Sequence, residues 1–258
     1  MTALLRTELR KCWSRRAVHL FGGLALAGIA LAGVLVFINS AKPENSFHLV
    51  NLKQVYHGTS VSLIILGIAL AASFMGAEWG AGTITTLLTW EPRRVRVYIA
   101  KLVAAVIFTF VSAIILQIIL GAALLPSAIA HGSTAGADRA WLVSTAGSVA
   151  RGALIAALGA GIGLAIGALA RNTTAAVLSA FFYLFVLENL VRGLKPHWMG
   201  WLFGDNAAIF IVGHKLAGDS SAGPLLSHGP LQALLVVCAY SAILTAAAIA
   251  LFVRRDVT

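Results

Sequence analysis

Charged side chains are scarce in this chain of 258 residues. They make up 11% of the sequence, while 59% of the residues are hydrophobic. Soluble domains carry about 25% charged residues, so the composition excludes an ordinary soluble protein. Because apolar runs account for most of the chain, no stretch remains for a soluble catalytic domain. The composition therefore predicts a membrane protein.

Residues for catalysis and metal binding are also few. The only two cysteines, Cys12 and Cys238, lie before the first apolar run and within the last, so they cannot form a bridge. The nucleotide-binding pattern GxxxxGK[ST] is absent, as are HExxH and GxSxG. His214 and His228 are too widely spaced for a metal pattern. We predict no catalytic residue, no metal site and no cofactor in this chain.

Six apolar runs are each about as long as a helix that crosses a bilayer. Strands of a membrane barrel would be shorter and would alternate in polarity. The runs are Val18–Ile38, Gly58–Ala77, Leu102–Leu125, Gly152–Ala170, Thr174–Val191 and Leu231–Val253. The predicted fold class is therefore an all-α membrane protein with six transmembrane helices. We expect Pro126 to close the third span and a loop to extend to Gly147.

The net charge of +10 is unevenly distributed in a six-span arrangement. Most lysines and arginines fall at the end that carries both termini. Cationic loops stay in the cytoplasm, so both termini are predicted to be cytoplasmic. The excess charge then reflects topology and contact with anionic membrane lipid, and it does not indicate a nucleic-acid site.

Residues 1–17 have the pattern of an amphipathic helix. Leu5, Leu9, Cys12 and Trp13 share one face, and polar residues share the other. Such a helix lies in the membrane interface, and residues 18–258 then form the six-span domain. The alternative is a simple basic anchor ahead of the first span.

The sequence becomes polar at residues 76–101, between the second and third apolar runs: GAEWGAGTITTLLTWEPRRVRVYIAK. A short helix is predicted over Thr83–Trp90, because the Thr83 hydroxyl can cap its first turn. Pro92 should end this helix, since the residue before a proline is disfavoured in the helical region. The pattern indicates a span, a short helix along the membrane surface and a second span.

This segment, residues 78–101, resembles the loop between the second and third spans of type-2 ATP-binding-cassette (ABC) permeases. The residues that carry the resemblance are Glu78, Gly82, Thr83, Ile84, Leu87, Leu88, Thr89, Pro92, Arg94 and Lys101. In that family the loop forms a coupling helix that docks on a separate ATPase subunit. Arg93 departs from the pattern, because many members have a small residue there. The alternative is a basic loop that only fixes topology.

The resemblance implies the membrane subunit of an ATP-driven exporter in a bacterial cell membrane. Such a subunit works with a second copy of itself or with a related permease. It is not an enzyme, since the partner ATPase holds the ATP and Mg²⁺. A permease dedicated to haem or lipid export is one alternative. A secondary transporter is another, although such proteins usually show repeats or midplane charges, which this sequence lacks.

Two polar residues near or within the spans are expected to form specific contacts. Gln117, in the third span, is predicted to make a hydrogen bond between helices. Glu78, at the inner end of the second span, is expected to pair with Arg93 or Arg94, or with a cation on the partner.

Arg151 and Glu188 are the charges that encroach on the spans. Counted from Arg171 at about 1.5 Å per residue, both approach the outer surface at similar depth. We therefore expect them to pair, while the alternative is that Glu188 faces the translocation route. The outer segment 192–229 is expected to include short helices before the last span.

Small residues recur at helical spacing in the fourth span. Gly152, Gly159, Gly163 and Gly167 fall along one face. Such a face lets two helices approach closely. We predict a packing surface within the subunit, and a dimer contact is the alternative.

Overall fold

The computed structural model describes residues 2–91, 93–214 and 229–254. Within these ranges the long elements are all helices, and six of them are long and apolar enough to cross a membrane. The predicted all-α class with six spans is therefore confirmed.

The helices are defined here in chain order. They are α1 (Thr2–Ser14), α2 (Arg16–Ser40), α3 (Leu52–Gly80), α4 (Thr83–Trp90), α5 (Arg94–His131), α6 (Arg139–Ala170), α7 (Thr173–Phe181), α8 (Glu188–Leu194), α9 (Phe203–Val212) and α10 (Pro230–Arg254). A π-helical segment, Phe182–Leu187, joins α7 to α8, so these three pieces form one span. Short 3₁₀ turns lie at Pro43–Asn45, Leu49–Asn51 and Pro196–Trp201. The six spans are α2, α3, α5, α6, the α7–α8 unit and α10.

The expected end of the third span at Pro126 is wrong. Pro126 lies inside α5, which continues to His131. A proline removes one helical hydrogen bond and crowds the preceding turn. Leu124 and Ala128, on either side of it, are both buried, so packing of the flanking turns offsets that loss.

The expected loop from Pro126 to Gly147 is also wrong, because α5 continues to His131 at one side and α6 begins before Gly147 at the other. Helix α6 begins at Arg139, where the Asp138 carboxylate accepts a hydrogen bond from the Trp141 backbone N–H at 2.7 Å. An aspartate at this position satisfies one of the free N–H groups of the first turn. The connection between α5 and α6 is therefore confined to residues 132–138.

Helices α3 and α6 lie at the centre of the bundle, whereas α2 and α10 are largely exposed. Gly152, Gly159, Gly163 and Gly167 of α6 face α3. A Cβ atom built on Gly167 would lie 2.7 Å from the Ala72 carbonyl oxygen, and one on Gly163 would overlap the carbonyl oxygen of Ile68. Only glycine permits this approach, so the small-residue face of the fourth span packs against the second span of the same chain.

One of the two central helices, α3, is joined to α5 by a buried amide. The side chain of Gln117 donates from Nε2 to the Ser60 hydroxyl oxygen at 3.1 Å, and Ser60 donates to the Tyr56 carbonyl oxygen at 2.7 Å. A Cβ atom on Gly152 would overlap that hydroxyl. Gln117 thus makes a contact between helices, and the glycine of α6 leaves the room for it.

Two ends of the bundle differ in charge. One end, here called the basic end, carries α1, the connection from α3 to α5, the turn at Arg171 and the last turn of α10 at Arg254. The opposite end carries the connections 41–51, 132–138 and 195–202. There the Leu49 N–H donates to the Ser133 carbonyl oxygen at 2.9 Å. The segment 76–101 lies at the basic end.

Candidate functional site

The turn between α3 and α4 brings a short helix out of the bundle. Gly82 adopts a φ of 66°, in the left-handed region that favours glycine. The short helix predicted over Thr83–Trp90 is present as α4. The Thr83 hydroxyl does not cap it, because Thr83 is already helical, and it donates instead to the Glu78 carbonyl oxygen at 3.3 Å. Pro92 lies outside the described residues.

Helix α4 has one anchored residue and one projecting residue. Ile84 is 2% exposed and packs in the hydrophobic core at the basic end. Trp90, at the other end of the helix, is 85% exposed. Thr89 is exposed beside it, whereas the side chains of Leu87 and Leu88 lie outside the described part of the chain. The helix is therefore fixed at its first turn and presents an aromatic side chain at its last.

Five charged side chains form a cluster beneath α4, which we call the charge cluster, and its three central members are buried. Its members come from α1, from the residue that follows α1, and from the facing ends of α3 and α5. They are Glu8, Lys11, Arg15, Glu78 and Lys101.

Lys101 is the centre of the charge cluster, and its side chain is 5% exposed. Its ammonium lies 2.7 Å from Glu8 Oε2 and 2.6 Å from Glu78 Oε2. Arg15 reaches the other Glu78 oxygen at 3.1 Å, and Lys11 reaches the other Glu8 oxygen at 2.9 Å. Each carboxylate is thus shared by two cations, and α1 is tied to α3 and α5.

The expected pairing of Glu78 with Arg93 or Arg94 is therefore wrong. Helix α1 folds back onto the bundle and supplies Arg15, while Lys101 approaches from α5. The guanidinium of Arg94 instead donates to the backbone carbonyls of Phe252 and Val253, both at 3.3 Å. A cation at this position satisfies carbonyl groups at the end of α10 and complements the negative end of its helix dipole.

Burial and charge compete in the charge cluster. Burial alone would raise the pKa of Glu8, but attraction to Lys101 and Lys11 outweighs it and holds the pKa below its ordinary value. Removing one partner from such a buried pair costs about 3–5 kcal/mol, because the remaining charge loses its compensation. The cluster therefore fixes α1 against the bundle near neutral pH.

A cation–π contact ties the next connection to the same site. The guanidinium carbon of Arg171, at the end of α6, lies 4.3 Å from the centre of the Trp79 ring. Trp79 also meets the ring of Phe252 edge-on, with centroids 6.0 Å apart. Arg171 adopts a φ of 52°, which is unusual for a residue other than glycine. The ends of α3, α6 and α10 are thus in contact below α4.

Sequence reasoning missed Glu8, Arg15 and Trp90. Glu8 is the sole acid among the first sixteen residues, which hold five cationic side chains. An isolated acid in a basic amphipathic helix is a signal for a buried partner, and it could have been recognised. The sequence gives no signal that Trp90 is exposed, because a tryptophan at the end of an apolar helix is usually largely buried.

Arg151 and Glu188, at the opposite end, do not pair with each other, so that expectation is wrong. Glu188 is 2% exposed and accepts a hydrogen bond from the Gly204 N–H at 2.9 Å, at the start of α9. Arg151 donates from Nε to the Ile211 carbonyl oxygen at 3.2 Å, at the end of α9. The anion and the cation lie at the two ends of one short helix, each where the helix dipole favours it.

Glu188 has further partners on the same helix. Arg192, one turn along α8, lies 3.1 Å from Glu188 Oε2 and 3.0 Å from Asp205 Oδ1. These contacts fasten α9 to the fifth span. The segment 192–229 thus contains the short helices expected of it, in its described part.

The basic-end site has no reactive chemistry that we can identify. Burial raises the pKa of the Cys12 thiol to about 11, and a thiol with so high a pKa is a poor nucleophile near neutral pH. In the parts of the chain that the structure describes, no three His, Cys, Asp or Glu side chains group as metal ligands would. The arrangement can hold helices together and present a surface.

The sequence model of the ABC-2 family transporter proteins matches residues 4–187, which is most of the chain. The matched region includes α1, the whole charge cluster and α4. The chain belongs to the ABC-2 transporter family. This ABC-2 protein is therefore a multi-pass membrane permease, a transport subunit that is not itself catalytic. No curated protein matches it significantly.

Proposed function

We propose that this permease subunit carries ATP-driven export across a bacterial cell membrane, and that an ABC ATPase docks on α4 from the cytoplasm. Permeases of the ABC-2 family work with ABC ATPase partners. The observation that carries the docking proposal is the contrast within α4 between the anchored Ile84 and the projecting Trp90. The basic end is placed in the cytoplasm because its loops carry most of the cations.

Force on α4 would reach several spans at once. Only residues 81–82 separate α4 from α3. The charge cluster links the end of α3 to α5 and to α1, and Arg94 links the start of α5 to α10. An ATPase that moves α4 on binding ATP would therefore tilt these helices together. ATP and Mg²⁺ belong to the partner, while this chain supplies the docking helix and half of the path.

The remaining half of the path would come from a second copy or from a related permease. The most exposed spans, α2, α10 and the α7–α8 unit, offer apolar faces for that contact or for lipid. Glu78, Arg94 and Lys101 contribute to coupling indirectly in this proposal, because they contact other parts of this chain. Trp90 and Thr89 would contact the ATPase directly.

The test is a comparison of two exposed tryptophans. Trp90 lies on α4, whereas Trp201, 71% exposed, lies at the opposite end. An exposed aromatic that becomes buried in an interface often contributes 2 kcal/mol or more to binding. Trp90→Ala should therefore weaken binding of the ATPase roughly thirty-fold, and Trp201→Ala should leave it unchanged. Binding is measured by co-purification in mild detergent and by titration of the isolated partners.

Equal binding by the two variants would contradict docking on α4. Transport that persists in cells and vesicles without any ABC ATPase would favour the secondary transporter instead. Lipid or haem as the cargo would change neither the docking nor the path.

A further inference from the structure

Helix α1 has two different sides in the folded chain. Leu5, Leu9 and Cys12 pack in the hydrophobic core at the basic end, and Glu8 beside them belongs to the charge cluster. A helix that lies alone in the membrane interface buries its apolar side in lipid, whereas α1 buries that side against its own bundle. The polar side of α1 is therefore the side that remains for contact with other molecules.

Three exposed residues form a stripe along the polar side of α1, which we call the α1 stripe. They are Arg6, Arg10 and Trp13. Residues that are three or four positions apart lie on the same face of a helix, so each side chain of the stripe lies next to the following one. Two guanidinium groups and one indole ring thus project together from α1.

Trp13 places the α1 stripe beside the first membrane span. Its ring meets the rings of His19 on α2 and Phe108 on α5 edge-on, with centroids 6.1 Å and 6.4 Å apart. The tryptophan is nevertheless 66% exposed, and Leu20, which follows His19 on the span, is 60% exposed. Tryptophan is enriched where a span meets the headgroup layer. The α1 stripe therefore lies at headgroup level, next to an exposed face of the first span.

The two arginines of the α1 stripe carry charge that this chain does not neutralise. In the part of the chain that the structure describes, neither Arg6 nor Arg10 forms an ion pair. The one acid of α1, Glu8, is buried and is shared by Lys11 and Lys101. The charge cluster holds three cations and two carboxylates, so it does not offset the stripe either. An anionic partner from outside the chain would therefore be attracted here.

We propose that the α1 stripe binds the headgroups of anionic phospholipids. Arg6 and Arg10 contact the phosphate oxygens, because the planar guanidinium group matches the geometry of a phosphate. Trp13 lies at the boundary between headgroup and chain, which suits a ring that is apolar and carries one N–H donor. The assignment to the cytoplasmic leaflet rests on the orientation proposed above. Binding of the lipid itself requires neither an ATPase nor transport.

The test compares two lipids that have the same chains and different headgroups. Dimyristoyl phosphatidylglycerol carries a net negative charge, whereas dimyristoyl phosphatidylcholine carries none. Bound lipid is counted by native mass spectrometry while each lipid is titrated into the full-length permease in an uncharged detergent. The wild type should prefer phosphatidylglycerol. An arginine near an anionic lipid surface contributes about five-fold in affinity, so Arg6→Gln and Arg10→Gln should each lower the preference about five-fold and the double variant about 25-fold.

Two control variants make the test specific for this place and for charge. Arg139→Gln combined with Lys195→Gln removes the same charge from exposed positions at the opposite end of the bundle, and it should leave the preference unchanged. Trp13→Ala removes an apolar contact that both lipids share. It should weaken both lipids alike and also leave the preference unchanged.

Three results would overturn the proposal. An equal loss of preference in the two double variants would show that net charge alone attracts the lipid. A wild-type preference in the Arg6 and Arg10 double variant would exclude the α1 stripe, provided that Cys12 still reacts as slowly with a maleimide as in the wild type, which shows that α1 is docked. If that variant loses the ATPase in lipid-free detergent and keeps its lipid preference, the stripe is a contact between proteins.

Docking of the ATPase on α4 is tested separately. Trp90→Ala should lose the ATPase and keep the preference for phosphatidylglycerol, because Trp90 lies on α4 and not on the α1 stripe. Failure of the docking proposal therefore leaves the lipid measurement intact, and failure of the lipid proposal leaves the docking measurement intact.

Discussion

The attachment of α1 to the bundle can be tested through a thiol that the chain already contains. Cys12 is 5% exposed, and it lies beside Lys101 in the charge cluster. Burial raises its pKa to about 11, so at neutral pH its thiolate is roughly 300-fold rarer than that of a thiol with the usual pKa of about 8.5. A maleimide should therefore label Cys12 only when α1 has left the bundle.

Replacing Lys101 with methionine keeps the length of the side chain and removes its charge. Glu8 and Glu78 then lose their shared partner, and each keeps only one cation. The lower figure for a buried pair that loses a partner, about 3 kcal/mol, corresponds to a roughly 150-fold larger population of undocked α1. Labelling through the undocked state should accelerate by a similar factor, up to the rate of a free thiol.

The assay is the rate of maleimide labelling at pH 7.5 in a Cys238→Ala background, read by mass spectrometry. Arg6→Met is the matched control, because Arg6 is an exposed cation on the same helix. It should label at the wild-type rate. A Lys101→Met protein that remains folded by circular dichroism and labels no faster than Arg6→Met would refute the role of the charge cluster in holding α1.

Three further predictions concern packing and pH. Gly163→Val should destabilise the permease by about 1–3 kcal/mol or more in thermal unfolding, since its Cβ overlaps a carbonyl of α3, whereas Gly23→Val, with open space around it, should not. Ser60→Ala should lower the free energy of unfolding more than Gln117→Leu does, by roughly 0.6–1.7 kcal/mol, because the leucine also removes a buried amide oxygen that lacks a hydrogen-bond partner. A larger loss of stability in Gln117→Leu would contradict this account. The lowered pKa of Glu8 means that its pairing stabilises docking fully above about pH 4.3 and is lost as the pH falls through the lowered value. The same buried thiol should therefore become progressively more accessible to dithiodipyridine as the pH falls below about 4.3, and protection that stays unchanged as the pH falls further would contradict the prediction.

The sequence predicted the spans and α4 well because both depend on local pattern. Six apolar runs of the required length leave few alternatives in a bilayer, and the segment between the second and third runs leaves room for one short helix ahead of Pro92. The partners of charged residues were not predictable in the same way. Glu78 has Arg93 and Arg94 nearby in sequence, yet it pairs with Arg15 and Lys101. That choice depends on where α1 folds back, and this is a tertiary property.

The error over Arg151 and Glu188 has the same origin and is informative. Their similar depth was inferred from the rise of the helix, but similar depth suits two charges that pair and also two charges that bind the two ends of one short helix. That helix is α9, whose N–H groups at one end and carbonyl groups at the other end have no hydrogen-bond partners within the helix. A helix of 10 residues, as α9 is, is too short to be stable on its own, so it needs such partners.

Charges thus fasten the two ends of this bundle. The middle is held by contact between small and apolar residues and by the hydrogen bond from Gln117 to Ser60. At the basic end the charge cluster joins α1, α3 and α5, and at the opposite end Glu188 and Arg151 hold α9. Between them α3 and α6 are in backbone contact through glycines of α6, so we expect this pair to move together. A displacement that begins at α4 would enter α3 directly. Because α6 packs against α3 and its Arg151 holds the end of α9, that displacement would reach α9 at the opposite end of the bundle.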